Sequence, residues 1–374
     1  MAPPVNAPLV SIVTPCLNSG RFLAACLGSV QAQDYPYVEH VIQDGSSTDG
    51  SIELLRDAPK NVAWISKPDG GQSDALDQAL RRSQGDILLV LNADDELLPG
   101  AARWGVEQMQ RHPAQAVIYG DVYLIDEDSV IIGECHGPSY DFASIFCVEQ
   151  VIPAQAAFIR RSALEAVGLR ADVSLDTCPD YEMFVRLGLR YSMRHVPGFV
   201  TRYRYYRRPL DGTALRTVER FVRAKSTVIN RVQNDPANPA SIRTLDRRAR
   251  AGLALWASEE ARAQGDARHA WLYYADALVD FGVAGSILAQ LLRMWLRFSP
   301  ARTPKPYPTR PSARRALGVG KSLLWDRHGI DAARRSLGGI RRALVTCSQG
   351  ALILVPLVSL LVLLYMFVVI SSHR

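Results

Sequence analysis

The sequence predicts an α/β protein with a mixed, Rossmann-like sheet, followed by an α-helical region and one carboxyl-terminal transmembrane helix. Three observations carry that prediction. Between residue 9 and about residue 120, short β-rich runs alternate with amphipathic stretches, the pattern of βαβ crossovers. Apolar runs repeatedly end in carboxylates, as in "VIQDGSSTDGS" (41–51) and "VLNADDELLPG" (90–100). Residues 351–370, "ALILVPLVSLLVLLYMFVVI", hold no charged side chain, and about 20 residues rising 1.5 Å each cross a ~30 Å hydrocarbon core.

Taken in order, "LVSIVTP" predicts a strand, "RFLAACLGSVQAQ" a helix, "VEHVIQD" a strand and "SIELLRD" a short helix. "VAWISKPD" predicts the third strand, "SDALDQALRRS" a helix, "DILLVLNADD" the fourth strand, "GAARWGVEQMQR" a helix and "QAVIYGD" the fifth strand. Helices between successive strands imply a mostly parallel sheet covered on both faces. Ligands of such sheets lie beyond the carboxyl ends of the strands, so Asp44, Asp94, Asp95 and Asp121 are expected just past strand ends, on the ligand edge. Further on, "DEDS" predicts a hairpin, "AAFIRR" a strand, residues 180–190 a helix and "MRHVPGFVTRYR" a strand. Residues 214–298 read as helices, and "ALWASEEARAQGD" with "ARHAWLYYADALVDFG" reads as a helical hairpin. The expected organisation is therefore an α/β domain over 1–213, a helical extension over 214–298, a Pro- and Arg-rich basic linker over 299–350 and the span over 351–370.

Composition narrows the class. With 374 residues, 48% hydrophobic and 21% charged, the chain has enough apolar material for a sizeable core and lacks the signature of disorder. Six scattered cysteines without a CxxC pair argue against a zinc site or a disulfide framework. The first ten residues lack the basic and apolar parts of a secretory signal. Residues 299–345 hold 11 Lys/Arg against two Asp, more than the net charge of +6 for the whole chain. Basic residues just before an apolar span read as topology and anionic-lipid contacts rather than a nucleic-acid site. They predict a chain held in the inner or plasma membrane by one carboxyl-terminal pass, with its catalytic body cytoplasmic. "GVGKS" (318–322) is no P-loop, because Arg315 stands where the first glycine is required and no strand leads in.

The acids have two readings each. Asp44 suits a turn or a helix cap, and Asp74 also opens a predicted helix. Adjacent Asp94 and Asp95 repel unless a cation or water screens them. Hard divalent ions take carboxylate oxygens and complete their shells with water and phosphate oxygens, so the pair points to a metal holding a diphosphate.

"VSIVTPCLN" (10–18), "DGSSTDGS" (44–51), "KPDGGQSDAL" (67–76), "LNADDELLPG" (91–100), "YGD" (119–121), "PAQAAFIRRSALEAVG" (153–168) and "DYEMFVRL" (180–187) occur in series. In order and spacing they resemble the family 2 glycosyltransferases, whose fold is GT-A. The resemblance runs from residue 9 to 213 and marks 1–213 as the catalytic domain. It implies inverting transfer of a sugar from a nucleotide-diphosphate donor, UDP-sugars being favoured, with Mg²⁺ or Mn²⁺. Carried over by position, Thr14, Pro15 and Asn18 would border the nucleotide, Asp44 would contact the base or ribose, and Asp74 would lie on the nucleotide side. Asp95 matches the metal-coordinating acid, with Asp94 supporting donor ribose or metal. Ala93 stands where some members have a third acid, and Asp77 and Ala79 depart from the commoner "DALNKG".

Asp180 matches the position of the general base, which takes the proton of the acceptor hydroxyl as its oxygen attacks the anomeric carbon. Its alternative reading is a cap beside Pro179, and Glu182 is the reserve. "TRYRYYRR" (201–208) reads either as a loop closing on the diphosphate through its arginines or as an edge strand with a solvated face; His195 reads as structural. The expected acceptor is a hydroxyl of a glycan, lipid-linked, with membrane lipids as further partners. Transfer onto a polyprenyl phosphate and an inactive membrane scaffold are the alternatives. No tryptophan completes the QxxRW of processive members, so single or few additions are expected.

Overall fold

A computed structural model of the chain describes residues 7–175, 177–205 and 213–280. The basic linker, the "GVGKS" segment and the apolar stretch 351–370 lie outside the described residues. Among the described residues, no helix is long and apolar enough to cross a membrane.

The chain begins with β1 (Val10–Cys16), α1 (Gly20–Gln31), β2 (Val38–Asp44), α2 (Ser51–Arg56), β3 (Val62–Ser66), α3 (Gln72–Arg82) and β4 (Ile87–Val90). These strands pair in parallel in the order β3-β2-β1-β4. Alternation along each strand feeds the two faces of the sheet. Val13 and Leu88 join one apolar cluster with Leu76, Leu80 and Phe184, whereas Ile12 and Leu89 join the opposite one with Val106 and Phe158. Two-sided burial explains why β1 and β4 read as nearly continuous apolar runs.

After β4 come β5 (Glu96–Leu97), α4 (Ala101–Arg111), β6 (Val117–Ile125), β7 (Ile131–Cys135), α5 (Phe142–Phe146), β8 (Ala157–Arg160), α6 (Arg161–Ala166), α7 (Pro179–Gly188) and β9 (Met193–Arg204). Here the parallel order of the first four strands gives way to the mixed sheet expected of the whole domain. β8 runs antiparallel to both β4 and β6, β9 is parallel to β6, and β5 and β7 add antiparallel pairs. The change follows from the connections: beyond β6 the chain turns back without a long helical crossover, and antiparallel neighbours need none. Asp126 closes the β6–β7 turn by accepting the N–H groups of Asp128 and Val130, both at 2.9 Å.

Two expectations change. Residues 201–204 of "TRYRYYRR" do not form an edge, because β9 lies between β6 and β5. Asp121 stands inside β6 rather than past its end, because the hydrogen-bonded ladder continues to Ile125. Residues 206–208 of that run lie outside the described residues.

The helical extension comprises α8 (Thr213–Asn234), α9 (Ala240–Arg243), α10 (Asp246–Ala263) and α11 (Ala267–Asp280). The expected hairpin is α10–α11, turning at Gly265 with φ 78°. Helices α8 and α10 share one core with α5 and α7, through Phe146, Tyr181, Val185, Val228 and Leu253. Arg248 of α10 adds a two-pronged ion pair to Glu149, each contact 2.6 Å.

Contact between the extension and the α/β body is close at one glycine. A Cβ at Gly252 would lie 1.9 Å from the Cys147 carbonyl oxygen, a backbone atom that has no rotamer by which to retreat. Gly252→Val is therefore expected to lower unfolding stability by about 2–3 kcal/mol through overpacking. A lower urea midpoint by circular dichroism checks this.

Candidate active site

Asp44, Asp74, Asp95 and Asp121 each have an identifiable local duty. Asp44 ends β2 with 0% exposure. Its carboxylate accepts the Ser47 N–H at 3.0 Å, the Ser47 hydroxyl at 2.5 Å and the Ser66 hydroxyl at 2.6 Å. It does not cap α2, which starts seven residues later behind left-handed Gly50. Instead it fixes the "DGSST" loop. Asn18, itself at φ 49°, takes the Thr48 N–H on Oδ1 at 2.9 Å and donates its own N–H to Ser47 Oγ at 2.7 Å. Asn18 and Asp44 thus meet through Ser47.

Thr14 turns its hydroxyl into the body, 2.9 Å from His40 Nε2. Burial pushes His40 down to about 3, so the ring is neutral at pH 7. Asp74 sits in the first turn of α3 and accepts the Gly70 N–H and the Gln78 amide, both at 2.9 Å. Asp121 accepts the Gly137 and Gly198 N–H groups at 2.9 and 3.0 Å and lies 2.8 Å from His195 Nε2. Burial alone would raise its pKa, but the Gly198, His195 and Gly137 contacts outweigh that and hold it below the usual carboxylate value. His195 is structural in this sense: it ties β9 to β6.

The two adjacent acids follow β4 in a tight turn. Asp95 has 0% exposure; one oxygen accepts the Arg204 N–H at 2.8 Å and the other the Asn92 amide at 3.0 Å. Burial first, then the charge of Asp94, pushes the Asp95 carboxyl well above its ordinary value. Asp94 is half-buried, so it is the more open of the pair. Behind them Arg204, fully buried, donates to the Asp94 and Asp126 carbonyls at 2.8 and 2.6 Å and to Glu96 at 3.1 Å, and lies over the Phe22 ring at 4.2 Å. Arg202 pairs with Glu96 at 3.0 Å. Arg202 and Arg204 brace the turn.

The donor set fits a hard divalent ion of the water- and phosphate-completed kind. It offers only carboxylate oxygens, one of them held at a raised pKa that a cation would relieve. Among the described residues no three His, Cys, Asp or Glu side chains form a cage, so such an ion would draw the rest of its shell from water and a diphosphate.

Asp180 occupies the first turn of α7, behind Pro179 and left-handed Cys178 (φ 59°). It lines a cavity of about 380 Å³ that also includes Pro15 and Asn92, from the carboxyl ends of β1 and β4. Of the predicted residues, then, Pro15 and Asp180 face this cavity. Asn18, Asp74, Asp94 and Asp95 lie within three residues in the chain of its lining residues Pro15, Gln72 and Asn92, and Asp44 pairs with Cys16 beside Pro15, but none of these five lines the cavity itself; Thr14 points away. Glu182, the reserve, is engaged by Arg186 at 2.7 and 3.0 Å and does not line the cavity.

The far wall was not foreseen from the motifs. Gln150, Lys225, Trp256 and Glu260 all line the cavity. Lys225 had a readable signal: it falls on the apolar face of α8, at helical spacing from Phe221, Val228 and Ile229.

Residues 11–168 match the family model described as Glycosyl transferase family 2. An uncharacterized glycosyltransferase of Mycobacterium tuberculosis is 29% identical over 188 residues, 49% of this chain and 70% of that relative. Chondroitin synthase of Escherichia coli is 26% identical over 51% of this chain and 28% of its own length. Among solved structures, S. aureus TarS 1-349 in complex with UDP-GlcNAc superposes with a TM-score of 0.53 at 14% identity, covering 77% of this chain and 87% of that one. Mannosyltransferase PcManGT from Pyrobaculum calidifontis, in complex with GDP-Man and Mn2+, superposes with a TM-score of 0.50 at 18% identity, covering 86% and 89%. At these identities the structural likeness establishes a GT-A-like fold.

Proposed function

From the premise that this chain carries a glycosyl transferase family 2 domain over residues 11–168, we propose that it moves a sugar from a nucleotide-diphosphate donor to a glycan hydroxyl, with inversion. The observation that carries this reading is Asp180, which lines one cavity together with the strand-end residues Pro15 and Asn92. A base on that wall takes the hydroxyl proton while the acceptor oxygen forms its bond to the anomeric carbon and the bond to the diphosphate breaks on the opposite face. The Asp44–Ser47–Asn18 loop sets the nucleotide edge. Asp95, with Asp94 beside it, would hold Mg²⁺ or Mn²⁺, which when bound supplies positive charge to the departing diphosphate. Relatives whose structures carry UDP-GlcNAc, or GDP-Man with Mn2+, support a nucleotide-sugar donor and a divalent ion.

The acceptor we propose is lipid-linked, with the catalytic domain on the cytoplasmic side of a membrane. The support is the uncharged stretch 351–370 and the 11 basic residues of 299–345 before it. The experiment is release of nucleoside diphosphate from a panel of UDP- and GDP-sugars, with and without Mn²⁺. Mn²⁺-dependent release from one donor is expected; no release from any donor, or release indifferent to chelation, would count against the assigned site.

A further inference from the structure

We propose that helices α8 and α10 supply a sugar-binding acceptor subsite, in which Lys225, Glu260 and Gln150 hydrogen-bond the hydroxyls of a glycan ring beside Asp180. The proposal rests on the glycosyltransferase reading and goes beyond it, since the extension lies outside residues 11–168.

The cavity that holds Asp180 is closed on its far side by the extension: Phe221 and Lys225 from α8, and Trp256 and Glu260 from α10. These residues cannot reach the strand ends unless the extension docks, and the docking is built in, through Gly252 against Cys147 and Arg248 against Glu149. The wall is both aromatic and polar. Lys225 is only 6% exposed, with Nζ 4.3 Å from the Trp256 ring centre and 5.2 Å from that of Tyr181. Burial pushes its pKa down, while Cys178, Asp180 and Glu260 pull it up.

An ammonium held at a cavity wall is a donor without acceptor capacity, and Glu260 is an acceptor. Gln150 lines the same cavity, and its side-chain oxygen is buried without a hydrogen-bond partner among the described residues. A buried orphan acceptor keeps the full cost of its lost hydration unless a donor reaches it. Ligand hydroxyls, which donate and accept at once, match all three side chains. A cavity of about 380 Å³, with apolar rings and a few convergent polar groups, has the form of a small-molecule site. A nucleotide is a poorer match here, because two carboxylates, Asp180 and Glu260, would face its phosphates.

The test uses the full chain and three probes: p-nitrophenyl β-glucoside, β-galactoside and β-N-acetylglucosaminide, observed by saturation-transfer NMR. UDP and GDP with Mn²⁺ are titrated by calorimetry on the same samples. At least one glycoside is expected to show ring-proton saturation in the wild type. Its affinity should fall about tenfold in Lys225→Met and in Gln150→Leu and recover in Lys225→Arg, with nucleotide affinity unchanged within about twofold. Saturation that persists in both variants, or its absence from a wild type that binds UDP or GDP, overturns the subsite and leaves the glycosyltransferase reading intact. A wild type that binds neither nucleotide overturns the assigned donor site, and the subsite with it. Should Lys225→Met lose its folded circular-dichroism spectrum, Gln150→Leu decides the matter.

Discussion

Asp180→Asn is expected to lose sugar transfer by about 100- to 10,000-fold while nucleotide affinity stays within about twofold, since loss of a positioned base removes a contribution of that size. The amide is nearly isosteric with the carboxylate and keeps the first turn of α7 intact, where Pro179 and Cys178 already set the helix start. Glu182 pairs through both oxygens with Arg186 and lies outside the cavity lining, so no rescue by it is expected. The measurement is single-turnover transfer to a glycan acceptor beside calorimetry of the nucleoside diphosphate. Retained transfer would favour an acceptor that is already anionic, a polyprenyl phosphate, for which no base is needed.

Asp95→Asn is expected to abolish the response to Mn²⁺, with donor turnover falling by about 100-fold or more as the charge facing the diphosphate is lost. The substitution keeps an oxygen for either the Arg204 N–H or the Asn92 amide but removes the charge that a cation would meet. Wild-type stability provides an independent readout. With its folded pKa raised by burial and by Asp94, Asp95 contributes stability below its unfolded value of about 3.9, and that contribution is lost as pH rises through the folded value. Mn²⁺ should restore stability on the neutral side, so a rise in thermal midpoint at pH 7 is expected in the wild type and not in Asp95→Asn. A midpoint indifferent to Mn²⁺ in the wild type would remove Asp95 from the metal site.

What could be read from the chain alone was local. β2 and β9 appear at the positions that alternation predicts, because β-branched and aromatic runs bounded by turn residues define a strand without help from its neighbours. The motif acids were legible for the same reason: each sits in a short loop whose glycines and serines announce a tight turn. Pairing was less legible. Nothing in "QAVIYGD" says that β6 continues past Asp121 to carry β7, β8 and β9, since that depends on segments up to 80 residues away. "TRYRYYRR" misled through charge: an arginine in a strand reads as solvated, yet Arg204 is buried because Glu96, Ser129 and two carbonyls surround it. The far wall of the cavity was illegible as a site because its members come from segments about 30 to 110 residues apart in the chain and only tertiary packing brings them together.

The fit of Gly252 to the carbonyl of Cys147 also constrains recombination. A chimera that exchanges tails between relatives at the border of the matched region would divide the cluster joining Phe146, Tyr181, Val228 and Leu253, giving two halves with mismatched surfaces. Transplanting acceptor preference therefore requires moving α5, α7, α8 and α10 as one block. Evolution faces the same linkage, so position 252 is expected to stay glycine whichever side chain stands at 147, because the atom it meets there is a main-chain carbonyl.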